Sequence, residues 1–298
     1  MKILITGSNG LLGQKLVSLL SQEGIPFLAS AKGDNRIQSI QNFEFKSLDI
    51  TNESEVMNVF DEYQPSHLIH TAAMTNVDQC EDDPEGCELL NVRAVENLIK
   101  ACEKHGTFFC HLSTDFIFDG ENGPYEEEAI ANPISIYGES KLRAEKLLQN
   151  SLNFPWAIAR TVLVYGIVED MSRSNIILWV KNSLENNKDI NVVTDQFRSP
   201  TLAEDLAMGC YLIVKQNKEG IFNISGKDLL TPYEMAIQTA EFFNLNKELI
   251  HPADSTNFSQ RAKRPPRTGF KIEKAEKELG YKPHSFLEGI KIIAEQTR

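Results

Sequence analysis

Tyr137 and Lys141 lie four residues apart in the run Ile136-Tyr137-Gly138-Glu139-Ser140-Lys141-Leu142. On a helix this spacing puts both side chains on one face, with Cβ atoms about 5–6 Å apart. A phenol so placed can hand its proton to a carbonyl oxygen while hydride reaches the carbon, which is general acid catalysis. The neighbouring ammonium can lower the phenol pKa from its reference of about 10 by stabilising the phenolate, and it can also hydrogen-bond a ribose. Such chemistry needs a group that polarises the carbonyl. Thr114, in Ser113-Thr114-Asp115 at the end of the apolar run 108–112, is the expected hydroxyl, with Ser113 the alternative.

A hydride donor also needs a berth. Gly7, Gly10 and Gly13, with Asn9, Leu11 and Leu12 among them, follow an apolar run and open a helical pattern. Glycine there permits a tight turn and close backbone approach to a pyrophosphate, and the helix N-terminus offers free N–H groups. The spacing Gly-x-x-Gly-x-x-Gly differs by one residue from the dehydrogenase Gly-x-Gly-x-x-Gly. A glycine turn can exist without a ligand, and Tyr-x-x-x-Lys alone is a frequent accident. In this order along one chain they point to carbonyl reduction with a nicotinamide dinucleotide. A carboxylate ending the second strand would bind the 2′-hydroxyl of NAD. Here Ser30 stands at that place, followed by Lys32, with Arg36 nearby. A hydroxyl and cations suit a 2′-phosphate, so the expected cofactor is NADPH in preference to NADH. The plain alternative is that Lys32 and Arg36 are solvated surface charges. Asp49 and Ile50 are placed to meet the adenine, one by accepting from its amino group and the other by covering a face.

The elements that must position these residues are legible as alternation. Strands are expected at 2–6, 26–30, 44–47, 67–70, 108–113 and 156–160, with helices at 11–22, 53–63, 85–105 and 134–149 between them. Leu12, Leu16, Leu19 and Leu20 share one face of the first helix. Strand–helix alternation implies right-handed crossovers and a parallel sheet covered on both faces. The expected fold is therefore α/β, a Rossmann-type doubly wound parallel sheet with a smaller C-terminal α/β substrate-binding subdomain. Residues 1–170 with about 201–226 would form the dinucleotide-binding domain, and about 171–200 with 227–298 the subdomain. In that part, helices are expected at 176–184, 202–215, 232–243, 271–279 and 286–295, with short strands at 191–194 and 221–224.

Composition bounds the possibilities. A chain of 298 residues with 41% hydrophobic and 24% charged residues can bury a substantial core. Its formal net charge of −12 argues against nucleic acid and against an anionic membrane. Five cysteines without paired spacing, and no leader-like start, fit a cytoplasmic protein with reduced thiols. No apolar run approaches the roughly 20 residues of a membrane span.

These residues resemble the extended short-chain dehydrogenase/reductase superfamily and, within it, the dTDP-4-dehydrorhamnose reductase family. The matching segments include 71–81, Asn91-Val92, Asn97-Leu98, 112–120, Asn132-Pro133 before Tyr137-Gly138, Glu145, Arg160-Thr161 and Val164-Tyr165-Gly166. The resemblance implies a strand order of 3-2-1-4-5-6-7 and a nucleotide-sugar cleft beneath the C-terminal subdomain. It makes Thr114, Tyr137 and Lys141 the catalytic set and places Ala72 and Ala73 along the cofactor. On the substrate side it implies Thr75, Asp115, Phe116, Gln196, Arg198 and Arg264. Two departures stand out: Arg198 replaces the glycine of Asp-Gln-x-Gly-x-Pro-Thr, and Thr268-Gly269-Phe270 replaces the usual Ser-x-Leu. Arg198 could grip the substrate diphosphate or mark a different nucleotide or sugar. Related dehydratases carry Asp-Glu after the catalytic Thr; here Phe116 follows Asp115, which argues against dehydration.

The implied activity is NADPH-dependent reduction of the 4-keto group of a dTDP-deoxysugar, in dTDP-L-rhamnose formation, on a possible homodimer. The alternatives are a reductase or epimerase of another nucleotide sugar, or a non-catalytic NADP-binding regulatory subunit like the β subunit of methionine adenosyltransferase. The acidic runs 81–83 and 126–128 read as solvated loops and no metal site is assigned. His67, His70 and His111 read as packing histidines on buried strands, and the cluster Arg261, Lys263, Arg264, Arg267 as a turn suited to anions.

Overall fold

Ile3-Leu4-Ile5-Thr6 has no polar residue until its end, and it forms β1 (Ile3–Thr6), buried along its whole length. A strand covered on both faces needs this continuous apolar pattern rather than alternation. Its parallel neighbours are β2 (Phe27–Ala31) and β4 (His67–His70), with Ile5 opposite both Ala29 and Ile69. The computed structural model describes residues 1–170, 174–258 and 260–297. In it, β3 (Glu44–Ser47), β5 (Phe108–Thr114), β6 (Trp156–Thr161) and β10 (Gly220–Asn223) complete a seven-stranded parallel sheet ordered β10-β6-β5-β4-β1-β2-β3. The order reverses between β1 and β4. At such a switch point the crossovers leave in opposite directions and open a crevice at the carboxyl ends of the strands.

Side chains alternate across the sheet and so feed two cores. Ile3 and Ile5 pack with Leu16 and Leu20 of α1 (Leu11–Gln22) and with Leu206 and Cys210 of α8 (Ala203–Lys215); Ala275 and Leu279 of α10 (Glu273–Leu279) join them. Leu4 and Leu68 face α2 (Glu53–Tyr63), α5 (Ala94–His105) and α6 (Ile136–Gln149) through Phe60, Leu98 and Leu148. The sheet is thus doubly wound, in the Rossmann manner.

The long helix expected at 85–105 is divided. Pro84 starts α4 (Pro84–Glu88), a π-helical turn covers Leu89–Arg93, and α5 follows. A short α3 (Val77–Asp82) that periodicity did not reveal precedes them. The π-turn carries Asn91, whose carboxamide accepts from Met74 N at 2.8 Å and donates to Met74 O at 3.1 Å and Ser140 Oγ at 3.0 Å. One buried amide therefore ties the segment after β4 to helix α6.

A smaller layer follows the sheet. Helices α7 (Ile176–Glu185) and α9 (Pro232–Phe242) pack on β8 (Ile190–Val193), which pairs in parallel with β11 (Ile250–Ala253), and α11 (Phe286–Gln296) packs against α9. Capping boxes start α9 at Thr231/Glu234 and α11 at Ser285/Glu288. A two-strand link, β7 (Val164–Tyr165) with β9 (Thr201–Leu202), joins this layer to the sheet. The first positions of the expected subdomain, 171–173, and positions 259 and 298 lie outside the described residues.

Arg160 on β6 and Glu145 on α6 form a buried, two-pronged ion pair at 3.0 and 2.7 Å, and Arg160 Nη1 also donates to Glu127 O at 2.8 Å. Removing one partner leaves an uncompensated buried charge, which costs far more than the pair itself contributes. Glu145→Ala is expected to lower unfolding free energy by about 3–5 kcal/mol, read from the midpoint of urea denaturation at unchanged m-value.

Candidate active site

A cavity of about 900 Å³ opens at the carboxyl ends of β1, β2, β4, β5 and β6. Its wall contains Gly7, Asn9, Gly10, Leu11 and Leu12 after β1, and Thr114, Tyr137 and Lys141 on the β5 side. Ser30, Lys32, Asp49, Ile50, Ala72, Ala73, Thr75, Asp115 and Phe116 also border it. Gly13, Gln196, Arg198 and Arg264 are not among its lining residues.

The glycine loop is shaped by contact distances. Gly7 has φ +81°, and a Cβ there would meet Ala72 N at 2.6 Å. A Cβ on Gly13 would meet Gly7 O at 2.3 Å, so Gly13 serves packing of α1 against the loop. On Gly10 a Cβ would meet only Gly7 O, at 3.3 Å, which leaves the cavity side open for a ligand. Asn9 fastens the neighbouring loop: it donates to Asp34 O at 2.8 Å and accepts from Arg36 N at 3.0 Å. The buried Ser8 Oγ has no hydrogen-bond partner among the described residues. A cradle of bare backbone at a helix start suits a dinucleotide pyrophosphate.

At the ribose end two details differ from the sequence reading. The strand runs to Ala31, and Ser30 is fully buried with its hydroxyl donating to Ile5 O at 2.9 Å. That hydroxyl is committed to the neighbouring strand rather than free for a phosphate. Lys32 reaches across to Asp49 Oδ2 at 2.6 Å, and Asp49 Oδ1 accepts from Thr51 N at 3.0 Å and Thr51 Oγ1 at 2.6 Å. Hydrogen bonding from Lys32 and then Thr51 holds the Asp49 carboxyl below the usual carboxylate range. The Lys32 side chain is 79% exposed and remains free to turn towards an anion.

The catalytic end is built by close docking of α6. Ser135 caps the helix by accepting from Gly138 N at 3.2 Å. A Cβ on Gly138 would meet Phe116 O at 2.1 Å, so only glycine lets α6 rest on the turn after β5. That contact brings Tyr137 beside Thr114 and Phe116, the two rings meeting edge-on at 5.8 Å. Thr114 Oγ1 donates to Asp115 Oδ1 at 3.1 Å and accepts from Phe116 N at 3.2 Å. Lys141 Nζ donates to Leu112 O at 2.6 Å and lies 3.2 Å from His111 Nε2.

Protonation differs from the simple pair picture. Burial raises the Tyr137 phenol above its ordinary value, and the Thr114 hydroxyl beside it only partly opposes that. The ammonium that was expected to lower it is held at Leu112 and His111 instead. Burial brings Lys141 itself down to about 8, against the partial support of Glu145 and Cys87.

The two arginines expected on the substrate are also engaged elsewhere. Arg198 is buried and donates to Phe197 O at 2.7 Å, Pro266 O at 3.3 Å and Pro265 O at 2.7 Å. Its Nε lies 3.9 Å from Asp115 Oδ2, an oxygen that also accepts from Thr268 Oγ1. Gln196 Oε1 accepts weakly from Arg198 at 3.4 Å. Arg264 forms a fork on Asp78 at 3.2 and 2.7 Å. Arg198 therefore cross-links the segments at 196–198 and 265–266 above the turn that follows β5. Asn91, His111 and Gly138 are the site residues that sequence reasoning missed. Asn91 and Gly138 stood inside matched segments, but long-range contact gives them their roles.

A family model described as RmlD substrate binding domain matches residues 1–298. The chain is 33% identical over 257 residues to the methionine adenosyltransferase 2 subunit beta of Bos taurus, covering 84% of this chain and 75% of that protein. It is 30% identical over 305 residues to the dTDP-4-dehydrorhamnose reductase of Aggregatibacter actinomycetemcomitans, covering 98% of both. A crystal structure of dTDP-4-dehydrorhamnose reductase from Bacillus anthracis in complex with NADP superposes with a TM-score of 0.86 at 27% identity, covering 99% of each chain.

The depressed Lys141 pKa has a consequence for stability. Between about 8 and the reference value of 10.5, the unfolded chain binds a proton at this position that the folded chain does not. Stability contributed at this site therefore rises with pH across that window, and at pH 7 the buried ammonium is a burden. Lys141→Met is expected to raise unfolding free energy at neutral pH by about 1–3 kcal/mol, with the difference shrinking as pH passes from 8 towards 10.5. Urea titrations at a series of pH values check both sign and window.

Proposed function

The chain belongs to the RmlD substrate binding domain family, and on that premise we propose that it reduces the 4-keto group of a dTDP-deoxysugar with NADPH, in the manner of dTDP-4-dehydrorhamnose reductase. The observation that carries this reading is the convergence of Thr114, Tyr137 and Lys141 on the wall of a cavity that the glycine loop also lines. NADPH bound there supplies the hydride. Tyr137 donates the proton to the substrate oxygen, and its raised pKa keeps it protonated at neutral pH, the state that reduction requires. Thr114 polarises the carbonyl. Lys141 presents its ammonium to the ribose side of the cavity. Phe116, standing directly after Asp115, leaves no second carboxylate for dehydration.

Residues 1–170 and about 201–226 are assigned to the cofactor, and about 171–200 with 227–298 to the substrate. Lys32 and Arg36 are assigned to the 2′-phosphate, because β2 ends in Ala31 rather than in a carboxylate. Asp115, Phe116 and Thr75 border the substrate end, while Gln196, Arg198 and Arg264 act as architecture around it.

A second reading, a non-catalytic NADP-binding regulatory subunit, has its own support in the 33% identity to the methionine adenosyltransferase 2 subunit beta of Bos taurus. Retention of all three catalytic side chains in one pocket favours the enzyme, although a fold alone settles no function. The test is NADPH oxidation by purified protein with dTDP-4-dehydro-β-L-rhamnose. Turnover is expected, and Tyr137→Phe is expected to lower kcat by about 10²–10⁴-fold. No turnover with NADPH binding intact by calorimetry would overturn the dTDP-rhamnose assignment and point to another nucleotide sugar or, failing that, to the regulatory reading. Lys32→Ala is expected to raise KM for NADPH by about tenfold while leaving that for NADH nearly unchanged. Equal change for both cofactors would count against the 2′-phosphate role.

A further inference from the structure

Beneath the catalytic wall runs a buried polar row that the reduction chemistry does not itself use. Thr6 on β1 lies opposite His70 on β4, and His70 lies opposite His111 on β5. Thr6 Oγ1 and His70 Nδ1 are 2.7 Å apart, and the two imidazoles stack with centroids at 5.4 Å. The row ends where His111 Nε2 meets Lys141 Nζ at 3.2 Å. All four residues are at least 97% buried, and His111 Nδ1 has no partner among the described residues. Period-2 alternation puts Phe109, His111 and Ser113 on the face of β5 that α6 covers, so the ring is aimed at the helix by strand geometry.

The chemistry of the contact decides the proton positions. An ammonium can only donate, so a ring nitrogen facing it must accept. His111 is then neutral, with its proton on Nδ1, a state that burial and the nearby cation both favour. Lys141 has three N–H groups. One goes to Leu112 O, one to His111 Nε2, and the third is left for the cavity that Lys141 borders. We propose that His111 is a positioning residue, which as the neutral Nδ1–H tautomer accepts from Lys141 and so aims the remaining N–H of the ammonium at the cofactor and Tyr137. The proposal rests on reading Lys141 as part of the catalytic set. The contact itself can be tested whether or not the chain reduces any sugar.

The groups facing Lys141 are His111 and the Leu112 carbonyl from β5, Cys87 from α4 and Glu145 from its own helix, while Tyr137 borders the same cavity. His70 stands behind His111, and Glu145 is already paired with Arg160. Without the His111 acceptor, burial would be less opposed and the ammonium would lose its proton at lower pH.

The experiment labels the full chain with ¹³Cε-lysine and ¹⁵N-histidine and follows both by NMR during a pH titration. The Lys141 signal is assigned by its loss in Lys141→Met, and the His111 signals by their loss in His111→Gln. In the wild type, His111 is expected to remain a neutral Nδ1–H ring from about pH 6 to 8. His111→Leu is expected to lower the Lys141 protonation constant about tenfold, whereas His111→Gln, whose Oε1 can accept, keeps it within about threefold. An Nε2–H or charged ring at His111 overturns the proposal, and does so even if His111→Leu fails to fold. Equal Lys141 titration in the wild type, Leu and Gln chains also overturns it. NADPH oxidation by the same proteins reports separately on the reductase assignment.

Discussion

Three places where backbone meets backbone with no room for a Cβ give the cavity its shape. Gly7 rests on Ala72, Gly13 on Gly7, and Gly138 on Phe116. The first two lock α1 and the segment after β4 around the glycine loop, and the third lowers the catalytic helix onto the turn after β5. In each case any larger residue would have to move the facing main chain, at Ala72, Gly7 or Phe116. Close packing transmits such a shift instead of absorbing it. The placing of the glycine loop and of the catalytic helix is therefore set by steric contact, and the polar chemistry is laid upon it.

Burial then determines how that chemistry behaves. Tyr137 keeps its proton and Lys141 loses its proton more readily, both because water is excluded at the base of the cavity. Such groups persist only where the surroundings satisfy them. Lys141 has a carbonyl and an imidazole, Thr114 has Asp115 and the Phe116 amide, and Asp115 has Thr114, Thr268 and Arg198. Lys141 and Asp115 are thus each held by residues from other segments of the chain, a condition for keeping a site in place.

Arg198 shows how one substitution in a motif changes role with context. Beside an expected nucleotide site, an arginine in place of glycine suggests phosphate binding. In the fold its guanidinium is spent on main-chain carbonyls at 197, 265 and 266, where it ties two loops of the smaller layer to the turn bearing Asp115. Arginine's planar fork of donors suits either task, and only knowledge of which carbonyls converge there distinguishes them.

The sequence by itself determined the alternation of strands and helices, the strand order through its resemblance, and the residues bordering the two ends of the cavity. Local physics explains why: apolar runs without alternation mark buried strands, glycine before a helix marks an anion cradle, and four-residue spacing puts a phenol and an amine on one helix face. The tertiary structure alone decided what depends on groups distant along the chain. It committed Ser30 to Ile5, turned Lys141 towards His111, divided the expected helix at 85–105 with a π-turn, and withdrew Arg198 and Arg264 from the cavity wall. Hydrogen bonds and desolvation are properties of neighbours in space, and a motif names a residue without naming who will stand beside it.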